Sequence, residues 1–84
     1  MDKLPLNDEL EPLVASSAYK HGLSWDAITH AYRHPLRAWL LDDGLVMLIG
    51  ADAAGALLEV GVVRGDQGDV IVHAMPARAK FLWR

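Results

Sequence analysis

The chain has 84 residues, a formal net charge of −3, no cysteine and a hydrophobic fraction of 52%. This length predicts one domain, and the lack of cysteine excludes a disulfide, a thiolate metal site and a cysteine nucleophile. The sequence does not open with basic residues followed by an apolar run, and no apolar run is long enough to cross a membrane. We therefore expect a cytoplasmic protein.

The first part of the chain predicts an irregular lead-in over residues 1–11 and a helical hairpin over residues 12–34. Pro12 suits the first position of a helix, where its missing N–H is no loss, and Gly22 suits the position just after the helix end. Ser24 is the N-cap candidate of the second helix. That helix should end near Arg33, because Pro35 disfavours helical conformation in the residue before it.

Residues 36–75 predict a sheet of four strands joined by short turns rich in Gly and Asp: Leu36–Leu41, Leu45–Ile49, Ala56–Arg64 and Val70–Met75. Strict alternation in the last strand places Ile71, His73 and Met75 on one face. The predicted fold is α+β, with two N-terminal helices packed on a four-stranded antiparallel meander sheet. Ile28, Tyr32, Val60 and Val62 should be buried between the helices and the sheet. Residues 76–84 form a tail in which Phe81 and Trp83 should be buried.

Histidines and arginines are the candidates for chemistry. His30 and His34 lie four residues apart on the second predicted helix, but their surroundings favour surface residues over a metal pair, so no metal is predicted. His73 is either a general base or a hydrogen-bonded residue at the edge of the core. Arg64 either binds a phosphate or is a solvated strand end.

The order and spacing of four segments carry a family resemblance, which covers about residues 15–80: Tyr19 to Trp25, Ala31 to Pro35, Leu57 to Gly65 and Val70 to Arg78. On these segments the chain resembles the BrnT-type toxins, ribonucleases of the RelE superfamily found in bacterial type II toxin–antitoxin modules. The resemblance implies a compact α+β toxin that cleaves RNA without a metal or other cofactor. It also implies a partner, a small DNA-binding antitoxin, often of the ribbon-helix-helix type.

The resemblance and the predicted hairpin together give a set of site residues. Arg64, His73 and Arg78 are the predicted catalytic residues, with His73 as the base and the two arginines as clamps for the phosphate and the transition state. They should surround one shallow surface at the end of the third and fourth strands. The predicted RNA-binding residues are Lys20, His21, Arg37 and Lys80.

The charge of the chain keeps a second function class open. Proteins that bind nucleic acid through phosphates usually carry a basic excess, and this chain is acidic. A non-catalytic interaction module of the same fold, which would use its apolar sheet face or its tail, is therefore the alternative to an endoribonuclease.

Overall fold

The computed structural model describes residues 11–42 and 44–82. The predicted lead-in, apart from residue 11, and the position of Trp83 lie outside these ranges. The elements in chain order are β1 (Leu13–Val14), a 3₁₀ helix (Ser16–Tyr19), α1 (Trp25–Arg33), β2 (Pro35–Asp42), β3 (Leu45–Ala51), β4 (Leu57–Gly65), β5 (Gly68–Pro76) and α2 (Ala79–Leu82). No helix in the described ranges is long and apolar enough to cross a membrane.

The strands form one five-stranded mixed sheet in the order β1-β5-β4-β3-β2. Strands β2 to β5 pair antiparallel in sequence order, and β1 adds to the outer edge of β5 in parallel. The predicted fold of two N-terminal helices on a four-stranded antiparallel sheet is therefore wrong. It missed the parallel edge strand, and it placed an α-helix where the chain forms a strand and a 3₁₀ turn.

The hydrogen bonds of the segment explain why no α-helix forms after Pro12. The Ala15 N–H donates to the Ile71 carbonyl at 2.8 Å, and the Ser17 hydroxyl donates to the Val72 carbonyl at 2.6 Å. Both bonds attach this segment to the edge of β5, so the Ala15 N–H has its partner in the sheet and not in a helix. Gly22, with φ +84°, ends the turn that follows the 3₁₀ helix. The glycine was predicted to follow an α-helix, but the element before it is this 3₁₀ helix.

Helix α1 begins and ends where the sequence predicts. The Ser24 side chain accepts a hydrogen bond from the Ala27 N–H at 3.0 Å, which confirms the N-cap, and the helix ends at Arg33. Its buried residues pack so closely on β3 that a Cβ added to Gly50 would lie 2.0 Å from the Ala31 carbonyl oxygen. Gly50 is therefore required for the close approach of helix and strand.

The two faces of the sheet carry separate apolar clusters. The face that contacts α1, here called the α1 face, holds the larger cluster, and the predicted burial of Ile28, Tyr32, Val60 and Val62 is confirmed. The opposite face, here called the α2 face, carries a smaller cluster of Met47, Ile49 and Phe81. Burial of Phe81 was predicted and is confirmed. The C-terminal segment therefore folds back across the sheet.

A β-bulge in β5 decides which face its side chains occupy. Near the hairpin turn Val62 pairs with Ile71, but Gly61 pairs with His73, so Val72 is an extra residue in β5. An extra residue reverses the alternation of the strand beyond it. Ile71 lies in the cluster of the α1 face, whereas His73 lies opposite Gly61 on the α2 face. The prediction that Ile71 and His73 share a face is therefore wrong.

Candidate functional site

A buried glutamate organises the polar part of the α2 face. Glu59 is the third residue of β4 and has 0% of its surface exposed, and it pairs with Met75 of β5 and with Ile49 of β3. Strand alternation places it on the same face as Gly61, the partner of His73. A charged side chain is almost never fully buried without partners. Glu59 therefore requires donors, and the segment after β5 supplies them.

Arg78 and His73 donate to this carboxylate. The Arg78 backbone N–H donates to Oε1 at 3.0 Å, and its guanidinium donates through Nε at 3.1 Å to Oε1 and through Nη2 at 2.7 Å to Oε2. The His73 Nε2 lies 2.8 Å from Oε2. These three residues, Glu59, His73 and Arg78, are called the Glu59 cluster below.

The hydrogen bonds determine the charge of the cluster. Burial raises the pKa of the Glu59 carboxyl, but hydrogen bonds from Arg78 and His73 outweigh burial and hold the pKa below its ordinary value. The Glu59 side chain raises the pKa of the Arg78 guanidinium in turn. Glu59 is therefore ionised at neutral pH and can only accept hydrogen bonds. The His73 Nε2 must carry its hydrogen, and in the neutral ring Nδ1 is left as a proton acceptor.

The access of solvent differs among the three residues. The His73 side chain is 27% exposed and the Arg78 side chain is 44% exposed, while Glu59 lies beneath them. A Cβ on Gly61 would lie 3.1 Å from the His73 Cβ, so the missing side chain of Gly61 leaves room for the imidazole. The Arg78 guanidinium carbon lies 5.2 Å from the centre of the Phe81 ring. The cluster therefore presents an imidazole and a guanidinium over a fixed carboxylate.

The predicted catalytic residues are brought together only in part. His73 and Arg78 share the Glu59 carboxylate, but Arg64 donates through Nε to Asp69 at 2.7 Å. The Tyr32 hydroxyl of α1 donates to the same aspartate, which places Arg64 and Asp69 on the α1 face. The prediction that Arg64, His73 and Arg78 surround one surface is therefore wrong for Arg64.

The predicted RNA-binding residues are dispersed. Lys20 and His21 lie exposed in the turn after the 3₁₀ helix, and the His21 ring centre lies 5.8 Å from that of His73. Lys80 lies on α2, with its Nζ 5.0 Å from the centre of the Phe81 ring. Arg37 donates to the Leu82 carbonyl at 2.7 Å, so this side chain holds the C-terminal segment against the sheet.

Glu59 was missed in the sequence, although a signal for it was present. It is the single charged residue in the apolar run from Leu57 to Val63. A carboxylate in such a run requires a partner, and His73 and Arg78 in the neighbouring strand and its continuation were available donors. The bulge that brings His73 to the same face had no comparable signal.

The remaining histidines form a second, different arrangement. The His30 and His34 rings stack with centres 4.1 Å apart beside a cavity of about 600 Å³ between α1 and the β3–β4 loop. His30 Nδ1 lies 2.7 Å from the Ala51 carbonyl oxygen, and His34 Nδ1 lies 2.7 Å from the His30 carbonyl oxygen. Within residues 11–42 and 44–82, no group of three or more His, Cys, Asp or Glu side chains could hold a metal ion.

Comparison of the chain with protein-family models, curated proteins and solved structures gives no match. The resemblance to the BrnT-type toxins therefore remains an expectation.

Proposed function

We propose that the Glu59 cluster is the site of a metal-independent endoribonuclease, and that the chain is the toxin of a bacterial type II toxin–antitoxin module. In this proposal the protein acts in the cytoplasm, and a small DNA-binding antitoxin neutralises it. The observation that supports the proposal best is the bond between Glu59 and His73 Nε2, because it directs the unprotonated Nδ1 of His73 to act as a base. The resemblance supplies RNA as the substrate.

His73 begins the proposed reaction. Its Nδ1 takes the proton of a ribose 2′-hydroxyl, and the 2′-oxygen then attacks the adjacent phosphorus. Glu59 holds the imidazole in the required tautomer and stabilises the positive charge that the ring gains. No hydrogen bond from His73 Nδ1 links it to another described residue, so a substrate hydroxyl meets no competing partner there.

Arg78 is the proposed phosphate contact. Its Nε and Nη2 are used by Glu59, whereas Nη1 makes no hydrogen bond to another residue of the described ranges. A guanidinium carries five N–H donors, so the remaining ones can bind a phosphate oxygen while Glu59 fixes the side chain. Lys20 and Lys80 then supply further positive charge for the RNA backbone. Arg64 is not part of the proposed site, because it lies on the α1 face.

The direct test is cleavage of a labelled RNA by the purified protein in the presence of EDTA. His73→Ala should lower the cleavage rate by about 10²-fold to 10⁴-fold, the usual contribution of a general base. His34→Ala is the matched control, since His34 is exposed just after the end of α1 and lies outside the proposed site. Circular dichroism should show the same fold for all three proteins. Equal cleavage by wild type and His73→Ala would place the site elsewhere.

The same variants test the role as a toxin. Induced expression of the wild type without an antitoxin should arrest bacterial growth, and His73→Ala at equal protein level should not. Absence of growth arrest together with absence of RNA cleavage would refute the proposal.

A second candidate function is a non-catalytic interaction module, and the outermost strand is the observation that favours it. Strand β2 pairs only with β3 among the described strands, and its Leu36 and Leu40 are 64% and 67% exposed. An exposed apolar edge strand can accept a strand from another chain. If the wild type is inactive, this candidate predicts that Leu40→Asp weakens binding to the product of a neighbouring antitoxin-like reading frame, as measured by calorimetry.

A further inference from the structure

The histidine beside the Glu59 cluster is placed to take part in the chemistry. The His21 and His73 ring centres lie 5.8 Å apart, and the ring planes are nearly perpendicular, at 80°. At this separation the edge of one ring contacts the other ring, as aromatic pairs commonly do. Both side chains also reach solvent, so a phosphodiester group that lies across their exposed edges can contact both of them.

The fold brings the two rings together at the edge of β5. Strand β1 pairs with β5 only at Val70 and Ile71, and beyond that point the 3₁₀ helix covers the edge through the bond from Ser17 to Val72. The turn that follows the 3₁₀ helix then carries His21 to His73. The bulge at Val72 supplies the other half of the arrangement, because it turns His73 away from the α1 face.

The surroundings of the two imidazoles differ, and this difference assigns their roles. His73 is bonded to a buried carboxylate, which stabilises the positive ring formed when His73 takes a proton. His21 is exposed and makes no hydrogen bond with another residue in the described part of the chain. His73 therefore has a carboxylate partner in Glu59, whereas His21 has none among the described residues.

We propose that His21 is the general acid of the reaction, an inference that rests on the proposed ribonuclease function. The 2′-hydroxyl proton moves to His73 Nδ1 as the bond from the 2′-oxygen to phosphorus forms. The bond from phosphorus to the 5′-oxygen breaks, and the leaving 5′-oxygen takes a proton from His21. The products are a 2′,3′-cyclic phosphate and a 5′-hydroxyl, and both histidines return to their starting states by proton exchange with water.

Arg78, the other cation of the site, cannot take this role. A guanidinium keeps its proton at any pH at which the protein is folded, so it can bind a phosphate oxygen but cannot protonate a leaving group. The Glu59 carboxylate is ionised and buried, and it has no proton to give. Within the described cluster and its neighbour, His21 is left as the proton donor.

The experiment uses two short RNA substrates that differ in one atom. One carries the natural 5′-oxygen at the cleavage site, and the other carries sulfur in its place. A thiol loses its proton much more readily than an alcohol, with a pKa of about 8.5 in model compounds. The sulfur leaving group therefore departs without a general acid.

For His21→Ala we expect cleavage of the oxygen substrate to slow by about 10²-fold or more and cleavage of the sulfur substrate to return to within a few-fold of wild type. The His73→Ala variant should cleave both substrates slowly. Sulfur at the leaving position removes the need for a general acid, but the general base is still missing. Because His21 is exposed, His21→Ala should fold as the wild type does, and circular dichroism checks this.

Three outcomes would overturn the inference. If His21→Ala cleaves the oxygen substrate as fast as wild type, His21 has no role in the reaction. If it is equally slow on both substrates, His21 binds or positions RNA and does not protonate the leaving group. If the wild type itself cleaves neither substrate, the proposed ribonuclease function has failed, and the role of His21 fails with it.

Discussion

The two faces of the sheet are built on different principles, although they share the same strands. The α1 face is an apolar cluster that joins α1 to the centre of the sheet. The α2 face mixes a small apolar cluster around Phe81 with the buried carboxylate of Glu59. An apolar residue at position 59 would avoid the cost of burying a charge. The comparison therefore indicates that the α1 face supplies stability and that the α2 face carries the candidate site.

The largest loss of stability is expected on the α1 face, for Gly50→Ala. The added Cβ would lie 2.0 Å from the Ala31 carbonyl oxygen, so α1 would have to move off β3. We expect the free energy of unfolding to fall by about 3 kcal/mol or more in urea denaturation. Ala38→Ser on the exposed part of β2 is the control and should change little. An unchanged midpoint for Gly50→Ala would mean that helix and strand do not pack this closely.

Val60→Ala compares the two faces within one strand. Val60 is fully buried on the α1 face, whereas Val63 of the same strand is 39% exposed. We expect Val60→Ala to lower the free energy of unfolding by about 2–3 kcal/mol, through lost burial and the cavity left behind. Val63→Ala should cost less than about 1 kcal/mol. Equal losses for the two variants would contradict the assignment of the faces.

Glu59→Gln tests how much the buried carboxylate of the α2 face contributes to stability. The glutamine keeps one accepting oxygen, but its amide N–H groups face the donors of Arg78 and His73. Loss of charge-assisted hydrogen bonds should lower the free energy of unfolding by about 2 kcal/mol at pH 7. Asp66→Asn in the exposed β4–β5 turn is the matched charge control. A variant as stable as wild type would show that the cluster contributes nothing net to folding.

The smallest expected effect is the pH dependence that Glu59 causes. The pKa of its carboxyl lies below the ordinary value of 4.5 in the folded protein, so the unfolded chain binds the proton more readily. The stabilisation is fully present above pH 4.5 and is lost as the pH falls through the folded value. The stability difference between wild type and Glu59→Gln should therefore shrink as the pH is lowered from 6 to 3. A difference that stays constant would contradict the lowered pKa.

Local sequence signals were sufficient for several elements of the structure. Ser24 and Pro35 fixed the bounds of α1, because an N-cap and a proline act on the residues next to them. Alternation in the apolar run of β4 placed Val60 and Val62 in the core, because burial follows directly from side-chain direction in a strand. Glu59 could have been recognised as well, since a charge in such a run implies partners.

Long-range contacts decided the rest. The segment around Leu13 and Ser17 forms a parallel edge strand and a 3₁₀ helix because its hydrogen bonds go to β5, which lies more than fifty residues later in the chain. The bulge at Val72 moves His73 to the face of Glu59 and separates it from Arg64. The sequence by itself determined the local elements and most of the core, and only the tertiary structure decided the register of β5. Because one extra residue in a strand reverses every side chain beyond it, the candidate site depended on that register.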